Sequence, residues 1–93
     1  MSRVIYKFKL DLMDLQLVSM SRGANVLCAQ MQGDDICMWA EVDTDTKKCI
    51  RKVFVIGTGH PVPNLETQYI GTVQHNNYVW HIYIAAEPIF VEE

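Results

Sequence analysis

Residues 24–42 read Ala24-Asn25-Val26-Leu27-Cys28-Ala29-Gln30-Met31-Gln32-Gly33-Asp34-Asp35-Ile36-Cys37-Met38-Trp39-Ala40-Glu41-Val42. Two β-compatible runs flank Gln32-Gly33-Asp34-Asp35, where glycine admits a positive φ and aspartate bonds nearby backbone. The stretch predicts an antiparallel hairpin. In its second arm Ile36, Met38, Ala40 and Val42 share one face, while Cys37, Trp39, Glu41 and Asp43 share the other. That period of two is the mark of a half-buried strand. Trp39 falls among polar neighbours, which sets it apart from a purely core aromatic.

The same period continues outward in both directions. Upstream, Val4, Tyr6, Phe8, Leu10 and Leu12 alternate with Ile5, Lys7, Lys9 and Asp11, predicting a first strand with one buried side. Met13-Asp14 interrupts it, and Leu15 to Met20 predicts a second strand before the turn Ser21-Arg22-Gly23. Downstream, residues 43–48 form a polar connection and Cys49 to Ile56 a β-branched strand. The next segment, Gly57-Thr58-Gly59-His60-Pro61-Val62-Pro63-Asn64, must be an irregular loop, because its glycines and prolines cannot continue a strand or helix. Leu65 to Gln68 reads either as one helical turn or as extended chain. Tyr69 to Gln74 and Tyr78 to Ala85 predict the last two strands, joined by His75-Asn76-Asn77. Residues 87–93 read as a loosely ordered tail or as an edge strand through Ile89, Phe90 and Val91. No long segment shows a helical period. The expectation is one all-β domain over residues 1–93, a small antiparallel β-sandwich or barrel of about seven strands with at most one short helical turn.

Composition narrows the functional classes. The chain has 93 residues, 49% of them hydrophobic and 20% charged, the balance of a globular domain rather than a disordered one. Its formal net charge of −3 argues against general, charge-driven nucleic-acid binding. A homo-oligomer is expected, since a small sheet protein with this much apolar surface often hides some of it against copies of itself. Lys47, Lys48, Arg51 and Lys52 nonetheless gather half of the 8 basic residues within a short span. Such a run is ordinarily a solvated strand end; its functional reading is an anion site. The three cysteines, Cys28, Cys37 and Cys49, leave one unpaired in any disulfide scheme and lack metal-ligand spacing. Reduced thiols, no structural metal, no cofactor, no membrane span and a cytoplasmic setting follow as expectations.

Candidate site residues centre on Gly57, Thr58, Gly59 and His60. Glycines let backbone N–H groups converge on an anion, Thr58 adds a hydroxyl and His60 a ring. The loop is neither a phosphate-binding P-loop nor a dinucleotide fingerprint, and its structural reading is a stiffened crossover. Arg51 and Lys52 are candidates to neutralise a ligand's charge, and Tyr69 and Trp39 to stack its ring. His81, between Trp80 and Ile82, reads as a hydrogen-bonded strand histidine. The serines offer no nucleophile elbow, the cysteines sit in apolar strands, and the paired aspartates lie in turns, so no catalytic residues are assigned and a binding protein is expected rather than an enzyme.

The strings Met38-Trp39-Ala40-Glu41-Val42-Asp43, Val55-Ile56-Gly57-Thr58-Gly59-His60-Pro61-Val62, Tyr69-Ile70-Gly71-Thr72-Val73-Gln74 and Val79-Trp80-His81-Ile82-Tyr83 resemble a family of short phage and prophage proteins of unknown function. The resemblance implies a small cytoplasmic phage protein acting in an infected bacterial cell, with no catalytic assignment to carry over. Such a setting suggests an anti-defence role. The protein would sequester a small anionic nucleotide-like signal of host immunity, or would bind a host defence protein through a β-edge or apolar patch.

Overall fold

The computed structural model describes residues 2–91 and contains seven strands among them: β1 (Arg3–Leu10), β2 (Gln16–Ser21), β3 (Asn25–Gln32), β4 (Asp35–Asp43), β5 (Lys48–Gly57), β6 (Thr67–His75) and β7 (Tyr78–Ala85). All pairings are antiparallel. They form two sheets, ordered β1-β4-β3 and β2-β5-β7-β6, so the fold is a small sandwich and not a closed barrel. No helical turn forms over Leu65–Gln68; the chain there is bent and then extended, and Thr67 already opens β6.

The core lies between the sheets. Ile36, Met38, Ala40 and Val42 of β4 face Val53, Val55, Ile82 and Ile84 of the opposite sheet, all buried, with Met20 beside them. The predicted alternation of β4 therefore sets its inward face. Fully burying each such side chain contributes about 1.5–3 kcal/mol, and this cluster is the main source of stability.

The first strand departs from expectation. Of Val4, Tyr6, Phe8, Leu10 and Leu12, only Leu10 is buried; Val4 is 39% and Tyr6 46% exposed, and Leu12 lies beyond the strand. The alternation is real, because Val4, Tyr6 and Phe8 pair with the core residues Val42, Ala40 and Met38. However, β1 is an edge strand whose inward face the four-stranded sheet leaves largely uncovered. Period two identifies a strand but does not say whether a second layer reaches over it.

Among its described residues the C-terminal segment adds no edge strand. Ile89 and Ile50 exchange both backbone hydrogen bonds at 2.8 Å, in an isolated bridge alongside β5. Phe90 lies under the guanidinium of Arg22, 4.6 Å from ring centre to carbon. Glu92 and Glu93 lie outside the described residues. Truncation after Ala86 is expected to cost about 2 kcal/mol, from two backbone hydrogen bonds and one cation–π contact. Urea unfolding of the truncated chain checks this; an unchanged midpoint would show the bridge to be ornamental.

The second half of β5, from Val53 onward, is apolar on both faces. Val53 and Val55 point to the core, while Phe54 and Ile56 point outward yet are also buried. Residues 60–63 fold back toward them, and Asp14 and Leu15 approach from the other side. The loop after β5 thus lies over the outer face of the larger sheet and turns at its end, and the candidate site is built around that loop.

Candidate functional site

Three concavities surround the Gly57–Pro63 loop, and His60 lines all three. The first, about 270 Å³, is apolar and bounded by Leu15, Phe54, Ile56, Pro61 and Pro63, with Asp14 at its rim. The second, about 420 Å³, is walled by Tyr78 and Trp80 together with Gly57, Thr58 and Asn77. The third, about 240 Å³, holds Thr58, Gly59, His81 and Tyr83. The second and third share Gly57, Thr58 and His60 but draw on opposite faces of the larger sheet: Trp80 pairs with Gly57 and Val73 and packs on the core, whereas His81 pairs with outward-facing Ile56.

The loop is held in place by backbone hydrogen bonds, one to β7 and one within itself. The Thr58 N–H donates to Val79 O at 3.2 Å and the His60 N–H to Gly57 O at 3.0 Å. Gly59 has φ +92°, a conformation that costs other residues about 1–2 kcal/mol. Gly57 has a different reason to be glycine: a Cβ there would lie 3.2 Å from Trp80 Cζ3 and 3.4 Å from His60 Nδ1. Its bare backbone lets those two rings converge.

On the outer face of the larger sheet four side chains form a continuous hydrogen-bonded chain. Thr58 Oγ1 lies 2.8 Å from His81 Nε2, His81 Nδ1 lies 3.1 Å from Thr72 Oγ1, and Thr72 Oγ1 bonds the Tyr69 hydroxyl. Tyr69 also packs edge-on to Tyr83, with ring centres 5.6 Å apart. The chain depends on a β-bulge. Strict alternation would put Tyr69 and Thr72 on opposite faces, but the β6–β7 register shifts between Tyr69 and Gly71. Ile70 and Gly71 both turn inward, so Tyr69 opposes Tyr83 while Thr72 opposes His81.

The aromatic end is made by the β6–β7 hairpin. Asn76 and Asn77 adopt positive φ (54° and 67°), as a two-residue turn of this hand requires. The tight turn brings exposed Tyr78 beside Trp80, ring centres 6.1 Å apart and tilted by 47°.

The predicted site residues divide. Gly57, Thr58, Gly59 and His60 lie together, and Tyr69 joins them through Thr72 and His81. Lys52 shares their sheet face but sits beside Leu17, five residues along β5 from Gly57, or about 17 Å. Arg51 shares the inward face of Val53 and donates through Nη2 to Ala85 O at 2.9 Å, clamping β5 to the end of β7. Trp39 belongs to the other sheet and lies opposite Cys28 and Lys7, with its inward neighbours Met38 and Ala40 filling the core. His81, Thr72, Tyr78 and Trp80 are the site residues that the sequence reading did not assign. The strand glycine Gly71 was the available signal, since such a glycine often marks a bulge.

Chemically, Thr58 and His81 stand at the distance of a nucleophile and a base. The groups behind the imidazole, Thr72 and Tyr69, are hydroxyls, and among the described residues no carboxylate bonds to His81 as a catalytic orienter would. The arrangement suits recognition through hydroxyl and imidazole donors and acceptors. Among the described residues no group of three or more His, Cys, Asp or Glu could hold a metal ion, and no helix is long and apolar enough to cross a membrane.

No curated protein and no solved structure matches the chain. A family model described as a domain of unknown function, DUF7352, matches residues 1–90, and the chain belongs to that family.

Proposed function

We propose that the protein is a non-enzymatic binding module whose cleft captures a small nucleotide-like molecule. In the phage setting that its sequence strings suggest, capture would withdraw a nucleotide signal from host defence. The observation that carries the reading is the shared lining of two unlike hollows. One offers the Tyr78 and Trp80 rings, the other a chain of hydroxyls and an imidazole, and Gly57, Thr58 and His60 belong to both. A molecule with a planar ring joined to a polar, anionic group matches that pair of surfaces. Ring stacking supplies about 1–3 kcal/mol per base in comparable sites. The larger hollow, at about 420 Å³, is within the usual range for small-molecule sites.

Native mass spectrometry of protein purified from a bacterial host, against the same sample denatured, tests the reading. A non-covalent mass of a few hundred daltons, lost when Tyr78 is replaced by alanine, is the expected outcome, and the same spectrum counts the chains in any homo-oligomer. A bare protein that also binds no nucleoside or nucleotide added at millimolar concentration overturns it.

A second reading has its own support. β1 is an unpaired edge with Ile5 60% and Tyr6 46% exposed, a surface onto which a partner protein could add a strand. Ile89 is already bridged to Ile50, which favours β1 over the C-terminal segment as the surface for such a partner.

A further inference from the structure

A nucleotide-like ligand needs a partner for its negative charge, and neither Arg51 nor Lys52 stands at the cleft. The charge must come from elsewhere, and the hydrogen-bonded chain supplies a source. A neutral imidazole has one N–H donor and one acceptor nitrogen. Two proton arrangements therefore satisfy the observed distances. In one, Thr58 donates to His81 Nε2, His81 Nδ1–H donates to Thr72, and Thr72 donates to Tyr69. In the other, Tyr69 donates to Thr72, Thr72 to Nδ1, and Nε2–H to Thr58, whose own hydrogen turns toward Val79 O at 3.4 Å. In each, the ring holds one threonine hydrogen.

An imidazolium donates from both nitrogens. Both threonine oxygens then accept, and both hydroxyl hydrogens are released to other acceptors. The heavy-atom distances need not change. One added proton thus gives the hollow a positive charge and one more free donor, both of which favour an anion.

The surroundings leave that charge uncompensated. Across the sheet His81 faces Ile56 of β5 and Thr72 of β6, and along β7 it is flanked by Val79 and Tyr83. The loop contributes Thr58, Gly59, His60 and Val62. His60 is the other imidazole, Tyr69 and Tyr83 are phenols, and among the described residues no Asp, Glu, Lys or Arg lines this hollow. Asp14 lines the separate apolar hollow on another side of His60.

We infer that the hollow lined by Thr58 and His81, with Thr72 bonded behind the imidazole, is an oxyanion site, and that binding a phosphodiester, sulfate or carboxylate anion there draws a proton onto His81. The inference rests on the ligand-binding reading of the cleft and adds which end takes the charge and which residue answers it. Imidazole is the ordinary side chain that changes charge between pH 5 and 8, so binding should be proton-linked in that window.

The test uses two probes whose own charge is constant there: adenosine, which is neutral, and adenosine 3′,5′-cyclic monophosphate, which keeps one negative charge. Calorimetric titrations are run at pH 5.5 and 8.0. The cyclic nucleotide is expected to bind about tenfold more tightly at the lower pH, with adenosine unchanged. His81→Gln should abolish the difference and His60→Gln should keep most of it. Sodium sulfate should compete with the cyclic nucleotide at pH 5.5 and not with adenosine. Equal affinity of the cyclic nucleotide at both pH values overturns the oxyanion site and leaves the ring cleft standing. A pH dependence that survives His81→Gln and disappears in His60→Gln transfers the charge to the loop histidine and overturns the assignment. Failure of both probes to bind at either pH removes the cleft reading itself, and this inference with it.

Discussion

Replacing Gly71 with valine is expected to lower the stability of the domain by at least about 3 kcal/mol, at the upper end of overpacking costs. For a domain of this size that is a fall in Tm of roughly 12–24 °C. A Cβ at position 71 would sit 2.5 Å from Ala29 O, and 3.2 Å from both Ala29 Cβ and Ala29 N. The obstacle is backbone, so no rotamer change relieves it. Ala29 lies in β3, on the other sheet, and β3 carries its own register shift between Val26 and Cys28. The sheets therefore meet closely beside two irregular strands, and relief would require one sheet to lift from the other. Gly71→Ala should fall in the same direction by a smaller amount. Thermal unfolding followed by circular dichroism decides the matter. A valine variant melting within about 4 °C of the parent would mean that the sheets separate there at little cost.

That contact explains which parts of the protein were legible in the sequence. Strand positions depend on neighbours along the chain, and the alternation in Ile36–Val42, the Gln32–Asp35 turn and the Asn76-Asn77 turn all appear where expected. Burial of β1 depends instead on whether a second layer covers it, a long-range fact absent from its own pattern. The candidate site failed to gather Trp39, Arg51 and Lys52 for a related reason. Proximity in sequence to a loop is not proximity in space when a ten-residue strand carries the chain away, and Trp39 went to the other sheet. The hydrogen-bonded chain was hidden by parity. Tyr69 and Thr72 are three residues apart, so simple alternation separates them, and only the bulge at Ile70-Gly71 puts both on the face of His81. The glycine that lets the sheets touch is thus also the residue at which the site's geometry is set.

The same substitution at the other strand glycine should separate site from scaffold. Gly57→Val is expected to weaken nucleotide binding at least about 100-fold, or about 2.8 kcal/mol at 1.4 kcal/mol per tenfold, while changing stability by less than about 1.5 kcal/mol. The contrast follows from what each new side chain meets. At position 57 the neighbours are the Trp80 and His60 rings, at 3.2 and 3.4 Å, and side chains can turn away where the Ala29 carbonyl cannot. The backbone at Gly57 ends β5 without the positive φ seen at Gly59, and valine suits a strand. The added methyl groups point to the inward side of β5, as Val53 and Val55 do, and with the rings they displace fill the Tyr78–Trp80 hollow. A ligand whose ring lies there and whose anion reaches His81 must pass Gly57 around the end of the sheet. Full binding by a folded Gly57→Val protein would place the ligand elsewhere, and the exposed β1 edge would become the surface to probe. Lost binding with an unchanged unfolding midpoint would identify Gly57 as the position where the cleft is held open, because no effect on the core accompanies it.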